Sequence, residues 1–228
     1  MSIDPTTIDL SKLVLAIGAL GTAAYGVVDA TKALGGGVSQ VGFGDIKRVI
    51  TQLIPAKEKD SPSALGQSQA SILLTLRANW MNGMAAGDQK SIAKALVKLN
   101  LTPDTAGALA RVTGVDDKVL TAVANKLTTK EKLTDQETDV FGRFDLSLSA
   151  LLDQAYQRGD QRYRNTAKLS AVVVSVALAW WGASTTLGPG HLRLATIAGL
   201  LATPFAPVAK DLASAIQAGA KVLQFWKS

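Results

Sequence analysis

Apolar positions in this chain follow two patterns: long unbroken runs near the two ends, and short amphipathic stretches between them. Two of the runs lie close together, over 169–186 and 192–209, separated by Gly188-Pro189-Gly190. Lys168 and Arg193 bracket the first, and no Lys, Arg, Asp or Glu falls inside it. A helix rises about 1.5 Å per residue, so about 20 apolar residues cover the ~30 Å hydrocarbon core of a bilayer. Val172, Val173, Val174 and Val176 would also suit a buried strand, but such strands seldom exceed about 8 residues. Helices of soluble proteins keep a polar face, which these runs lack. The pattern predicts an antiparallel pair of membrane-crossing helices over 167–209, with the Gly-Pro-Gly breaker as its turn.

The third run, 13–28, becomes long enough to cross when extended to 10–30, with Lys12 and Lys32 reaching toward the headgroups. Gly18, Thr22, Gly26 and Ala30 recur at every fourth position, and so do Ala195, Gly199 and Thr203 in the last run. On a helix each set makes one smooth face that lets a neighbouring helix approach closely. Residues 33–45 are glycine-rich and read as a loop. Gly42-Phe43-Gly44 lacks the preceding strand and third glycine of a nucleotide fingerprint. A short amphipathic helix follows over 45–54, presenting Lys47 and Arg48 to headgroups and ending at Pro55. Residues 56–66 are a polar linker.

The middle shows helical spacing throughout. Ile72, Leu73, Leu76 and Trp80 mark one helix, and Ile92, Leu96 and Leu99 the apolar face of the next. Lys90, Lys94 and Lys98 line the opposite side of that second helix and read as a solvated face. Thr102-Pro103-Asp104 starts a third helix, running to Val112. Gly114 separates it from a fourth over 115–127, carrying Val119, Leu120, Val123 and Leu127. Thr134 and Glu137 have the spacing of a capping box. The helix they open passes through Phe141, Phe144, Leu148, Leu152 and Tyr156 and is expected to continue into the first span of the hairpin.

Taken together, the expectation is an all-α integral membrane protein with about three transmembrane helices and a cytoplasmic helical domain. Its parts are an N-terminal span (1–32), a loop, amphipathic helix and linker (33–66), the helical domain (67–166), the membrane hairpin (167–209) and a C-terminal amphipathic helix (210–228). Composition agrees: 47% of the 228 residues are hydrophobic and 20 are glycine, with a mean hydropathy of +0.20. The net charge of +6 gathers beside a membrane segment, where it suits an anionic inner leaflet rather than nucleic acid. Arg158, Arg162, Arg164 and Lys168 outnumber Asp160 there, which puts the helical domain in the cytoplasm and the Gly-Pro-Gly turn outside. Trp180 and Trp181 then fall at the outer interface. His191 and Arg193 in the turn run against the charge rule and are outvoted. The first span would run from outside to inside, with Met1 outside and the C-terminus inside.

Thr203-Pro204-Phe205-Ala206-Pro207 interrupts the last run. Pro204 and Pro207 each remove a backbone donor and predict a break, with Thr203 capping a fresh amphipathic helix. Val208, Leu212, Ile216, Leu223 and Trp226 form its apolar stripe, with Lys210, Lys221 and Lys227 opposite. No acidic residue at mid-depth is available to hold a cation.

No stretch carries recognisable chemistry. The chain has no cysteine, which excludes thiol catalysis, disulfides and thiolate metal sites. Its one histidine, His191, lies in the turn with no carboxylate nearby in sequence. No phosphate loop, metal spacing or nucleophile elbow is present, so no residue is assigned a catalytic, cofactor-binding or metal role. The expected function is a membrane-anchored helical interaction or accessory subunit, assembling with membrane or cytoplasmic subunits or with itself. The alternative is a homo-oligomeric pore or transporter-like protein lined by the broken last helix.

Asp153-x4-Arg158, the basic cluster around Arg162-Tyr163-Arg164, the hairpin that follows and the TPFAPVAKDL stretch together resemble uncharacterised bacterial inner-membrane proteins. Those have an N-terminal span, a cytoplasmic helical part and a C-terminal hairpin. The resemblance covers the last third of the chain and implies a bacterial inner (cytoplasmic) membrane and that topology, not an activity.

Overall fold

A computed structural model describes the backbone of residues 10–33, 35–54 and 68–225. Among these residues every regular element is helical: α1 (Leu10–Ala30), α2 (Ser39–Leu53), α3 (Gln69–Met81), α4 (Ala86–Leu99), α5 (Pro103–Thr113), α6 (Asp117–Thr129), α7 (Asp135–Thr186) and α8 (Leu192–Phe225). Short 3-10 turns follow α1 and precede α8. Three of these helices are long and apolar enough to cross a membrane: Lys12–Ala33, Asp135–Thr186 and Leu192–Ala209. The chain folds as two compact units, Ser39–Tyr163 on its own and Met1–Val38 together with Arg164–Ser228. α7 supplies residues to both. Pro55 and the expected linker over 56–66 lie outside the described residues.

In the Ser39–Tyr163 unit, local capping chemistry sets the helix ends. Ser68 Oγ accepts from the Ser71 amide at 3.1 Å, and Asp116 Oδ1 from the Val119 amide at 2.9 Å. The capping box before α7 forms as its spacing predicts. Thr134 N donates to Glu137 Oε2 at 2.7 Å, and Glu137 N to Thr134 Oγ1 at 3.3 Å. A second box, unanticipated, opens α5 through Thr102 and Thr105. The core joins α2 to α7 through Ile46, Ile50, Leu53, Leu76, Val97, Leu109, Leu120, Phe144, Leu148 and Leu152.

Three expectations for this unit are corrected. α2 begins at Ser39 rather than 45, so Gly42, Phe43 and Gly44 are helical and not loop. The reason lies in packing: a Cβ on Gly42 would sit 2.5 Å from Gly159 O, and one on Gly159 2.7 Å from Gly42 O. α2 and α7 therefore cross with their backbones nearly touching. In α4 the buried residues are Gln89, Ala93 and Val97; of the expected apolar face, Ile92 and Leu96 pack partly buried against the core, whereas Leu99 is exposed. The lysines of α4 are not a solvated face. Lys94 Nζ donates to Asp145 Oδ2 at 2.5 Å, Lys98 Nζ to Asp145 Oδ1 at 3.0 Å and Lys90 Nζ to Asp153 Oδ1 at 2.5 Å. Their acidic partner is this chain's own α7.

The other unit packs α1, the last part of α7 and α8. α7 runs unbroken from Asp135 to Thr186, as the sequence predicts, and α8 returns after the Gly-Pro-Gly turn. Ser175 Oγ donates to Gly199 O at 2.7 Å, and Trp180 Nε1 to Thr196 Oγ1 at 2.8 Å, so α7 and α8 are antiparallel. Along α1, a Cβ on Gly18 would meet Ala209 and Phe205 of α8, and one on Gly21 would meet Ala202 and Ala206. Moving forward on α1 moves backward on α8, so these two helices are antiparallel as well. The expected topology has both running from outside to inside, hence parallel. That sense is not found.

The expected break at Pro204 and Pro207 is also absent, because α8 is helical through both. Each proline leaves only one carbonyl, at Leu200 and Thr203, without its usual donor. The flanking turns keep their own bonds, and Ala202, Ala206 and Ala209 are held by contact with α1 or by burial. The side chains of the expected stripe at Leu212, Ile216, Leu223 and Trp226 lie outside the described residues.

Candidate membrane-facing surface

The arrangement of side chains around α1, α7 and α8 follows from what each helix offers its neighbours. Among the described residues, buried side chains are mostly small: Ala24, Ala171, Ala183, Ala195, Ala202, Ala206 and Ala209, with Ser175 and Thr203, and Val28 is the larger exception. Large apolar side chains point away. Leu169 is 67% exposed, Val173 62%, Trp181 70% and Leu194 67%, and Ile197, Leu200, Leu201 and Val208 are exposed too. Among the described residues, the exposed large apolar side chains of the Ser39–Tyr163 unit are Val41, Leu74, Leu99, Leu127 and Leu146. All the others lie on the three-helix unit.

The small faces named from sequence divide. Ala195, Gly199 and Thr203 are buried, and a Cβ on Gly199 would lie 2.6 Å from Val176 Cα of α7. Gly18 is buried against α8, its added Cβ 1.9 Å from Ala209 Cβ. Gly26 is not part of that contact: a Cβ there meets nothing within 4 Å. Thr22 is exposed, its hydroxyl donating back to Gly18 O at 3.0 Å. Gly21 takes the place expected for Gly26, with its added Cβ 2.0 Å from Ala202 O. The small residues themselves stand in the sequence, Gly18 and Gly21 three apart and Ala202, Ala206 and Ala209 four and three apart, but only the structure sets them opposite one another.

Arg158, Arg162, Arg164 and Lys168 are exposed along α7. Arg162 also faces the buried Asp45, with Nε 3.1 Å from Oδ2, and Arg48 approaches Oδ1 at 3.5 Å. Trp180 and Trp181 lie within two turns of the Gly-Pro-Gly turn, both exposed. His191 is exposed in that turn.

Titratable groups of the Ser39–Tyr163 unit, on the part of α7 before its apolar stretch and on the helices packed there, serve the fold. The hydrogen bond from Lys94 lowers the Asp145 carboxyl below its ordinary value, against partial desolvation and with help from Lys98. Lys126 and the Thr134 amide lower Glu137. Burial pushes Tyr156 up to about 12. A groove of about 460 Å³ runs between α4 and α7, lined by Lys90, Ser91, Lys94, Ser149 and Asp153, but its lysines already hold aspartates. Among the described residues, no three His, Cys, Asp or Glu side chains converge on a point where a metal could sit.

No protein-family model matches this chain, and neither a curated protein nor a solved structure matches it.

Proposed function

We propose that this protein is a membrane-anchored helical subunit whose Ser39–Tyr163 unit meets partner proteins at the cytoplasmic face. The observation that supports the anchor is the reversed burial in the three-helix unit: mostly alanines inside, with Val28, and most of the large Leu, Ile, Val and Trp side chains outside. In water such a surface would associate, whereas in lipid it is solvated and close packing of small residues holds the helices together. Arg158, Arg164 and Lys168 sit where α7 would leave the bilayer and favour the anionic cytoplasmic leaflet. Trp180 and Trp181 suit the opposite interface. A bacterial inner membrane fits the same charge arrangement. The pore reading depended on a broken last helix, and an unbroken α8 removes that support.

Membrane fractionation tests the anchor. The protein is expected to stay with the membrane through an alkaline carbonate wash, and release into the supernatant rejects the reading. For the subunit role, the native mass of the gently solubilised protein should exceed that of one chain, with a stoichiometric foreign partner. A monomer with no partner rejects it.

A further inference from the structure

We infer that α1 does not cross the bilayer: the chain crosses twice, through α7 and α8, and its N-terminus lies on the same side as the Ser39–Tyr163 unit. This rests on the membrane-anchor reading above and goes beyond it. Two independent observations carry it.

The first is directional. α1 is antiparallel to α8, and α8 is antiparallel to the end of α7, so α1 and the end of α7 run the same way. If α1 crossed fully, its C-terminal end would stand on the far side, with the Gly-Pro-Gly turn. The chain enters the Ser39–Tyr163 unit only about eight residues later and leaves it directly into the apolar part of α7. Among the described residues, the helices of that unit before α7 are too short to cross, so both its ends lie on one side. Residues 31–38 would have to recross alone. Fully extended they span at most about 28 Å. The described residues among them are not extended: a 3-10 turn covers Thr31–Ala33, the Gly36 amide bonds Lys32 O at 2.8 Å, and Gly35, Gly36 and Gly37 all take positive φ. Val38 packs back against the Ala24, Val28 and Ala171 cluster. A lone coil would also leave its backbone groups unpaired in hydrocarbon.

The second observation is register. Gly18 meets Ala209, the last residue of the apolar stretch of α8, just before Lys210 and Asp211. The part of α1 before Gly18 therefore extends past that boundary. From Gly18 to Ala30 only about 12 residues remain, roughly 18 Å of helix against a ~30 Å core. Lys12 then lies on the side of Arg164 and Lys168, in keeping with the charge rule.

The absence of cysteine makes the test direct. Single cysteines replace Ser2, Ser91 and Ser184 in the full chain, in sealed vesicles of known orientation, and react with a membrane-impermeant maleimide. The expected result is S2C and S91C labelled from one side and S184C only from the other. If S2C labels together with S184C, or from both sides, α1 crosses and the inference is overturned while the anchor stands. Labelling of S184C and S91C from the same side overturns the hairpin itself. A protein lost on alkaline washing fails earlier, at the anchor.

Discussion

Inside the Ser39–Tyr163 unit the fully buried side chains include Phe144, Ile46, Ile50, Leu53, Leu76, Leu148 and Leu152. Among the described residues of the α1–α7–α8 unit they are Ala24, Ala171, Ala202 and Ser175. One chain thus holds two solutions to helix packing. Where water surrounds a unit, removing large apolar area from it drives folding, at roughly 25 cal/mol per Å². Where lipid surrounds it, that drive is lost, and helices adhere through close contact and a few hydrogen bonds. The polar chemistry differs in the same sense. The first unit ties α4 to α7 with lysine–aspartate pairs, and the second ties α7 to α8 with the Ser175 hydroxyl on a backbone carbonyl.

The comparison predicts opposite responses to side-chain size. Phe144→Ala leaves a large void in the first unit and should cost about 3–5 kcal/mol. Amide exchange resolved by segment should accelerate in α4, α5 and α7, and unchanged exchange there would break the distinction. In the second unit enlargement should do the damage. Gly21→Leu places a side chain where Ala202 O already stands and should cost about 1–3 kcal/mol or more, freeing α1 for exchange and for trypsin at Lys32. Gly26→Leu meets open space and should be silent. Equal damage from the two variants would remove the α1–α8 interface as described.

That pair of glycines shows what the sequence could and could not disclose. The extent of α1, the Thr134–Glu137 box and the continuity of α7 were all legible, because each depends on neighbours within a turn or on a long apolar run. Which face of α1 meets a helix was not. Gly18-Thr22-Gly26 and Gly18-Gly21 are both smooth stripes, and only the partner's alanines select one. The lysines of α4 are misleading for the same reason, since their aspartates are between 47 and 63 positions away. The prolines misled differently: a strong local penalty was outweighed by intact turns on either side and by packing at Ala202, Ala206 and Ala209.

Ser175→Ala tests the polar tie of the second unit. It removes the bond to Gly199 O without opening much space, so a loss of about 0.5–1.5 kcal/mol is expected, read as faster exchange in α8. Ser175→Val should be worse than Ser175→Ala, because the site is fully buried between helices that approach at Gly199. If valine is tolerated better, packing there is looser than the Gly199–Val176 contact implies.

The smallest expected effect belongs to the ion pairs of the first unit. Asp145 is lowered in the folded state by Lys94 and then Lys98, while in the unfolded chain a carboxyl titrates near about 3.9. A depressed folded value binds the proton less readily than the unfolded chain does. Its stabilisation is therefore fully present above about pH 4 and is lost as pH falls through the folded value. Glu137, lowered by Lys126 and the Thr134 amide, loses its share over the same acid range. Asp145 and its lysines are partly exposed, so the pairs are worth at most about 1 kcal/mol each. Asp145→Asn should lower stability slightly at pH 7 and flatten the stability profile below pH 4. Exchange in α4 should respond to acid while that at the Ser175–Gly199 contact does not, because no titratable group takes part in that hydrogen bond. Equal acid sensitivity at both places would mean that the lysine–aspartate ladder is not what separates the chemistry of the two units.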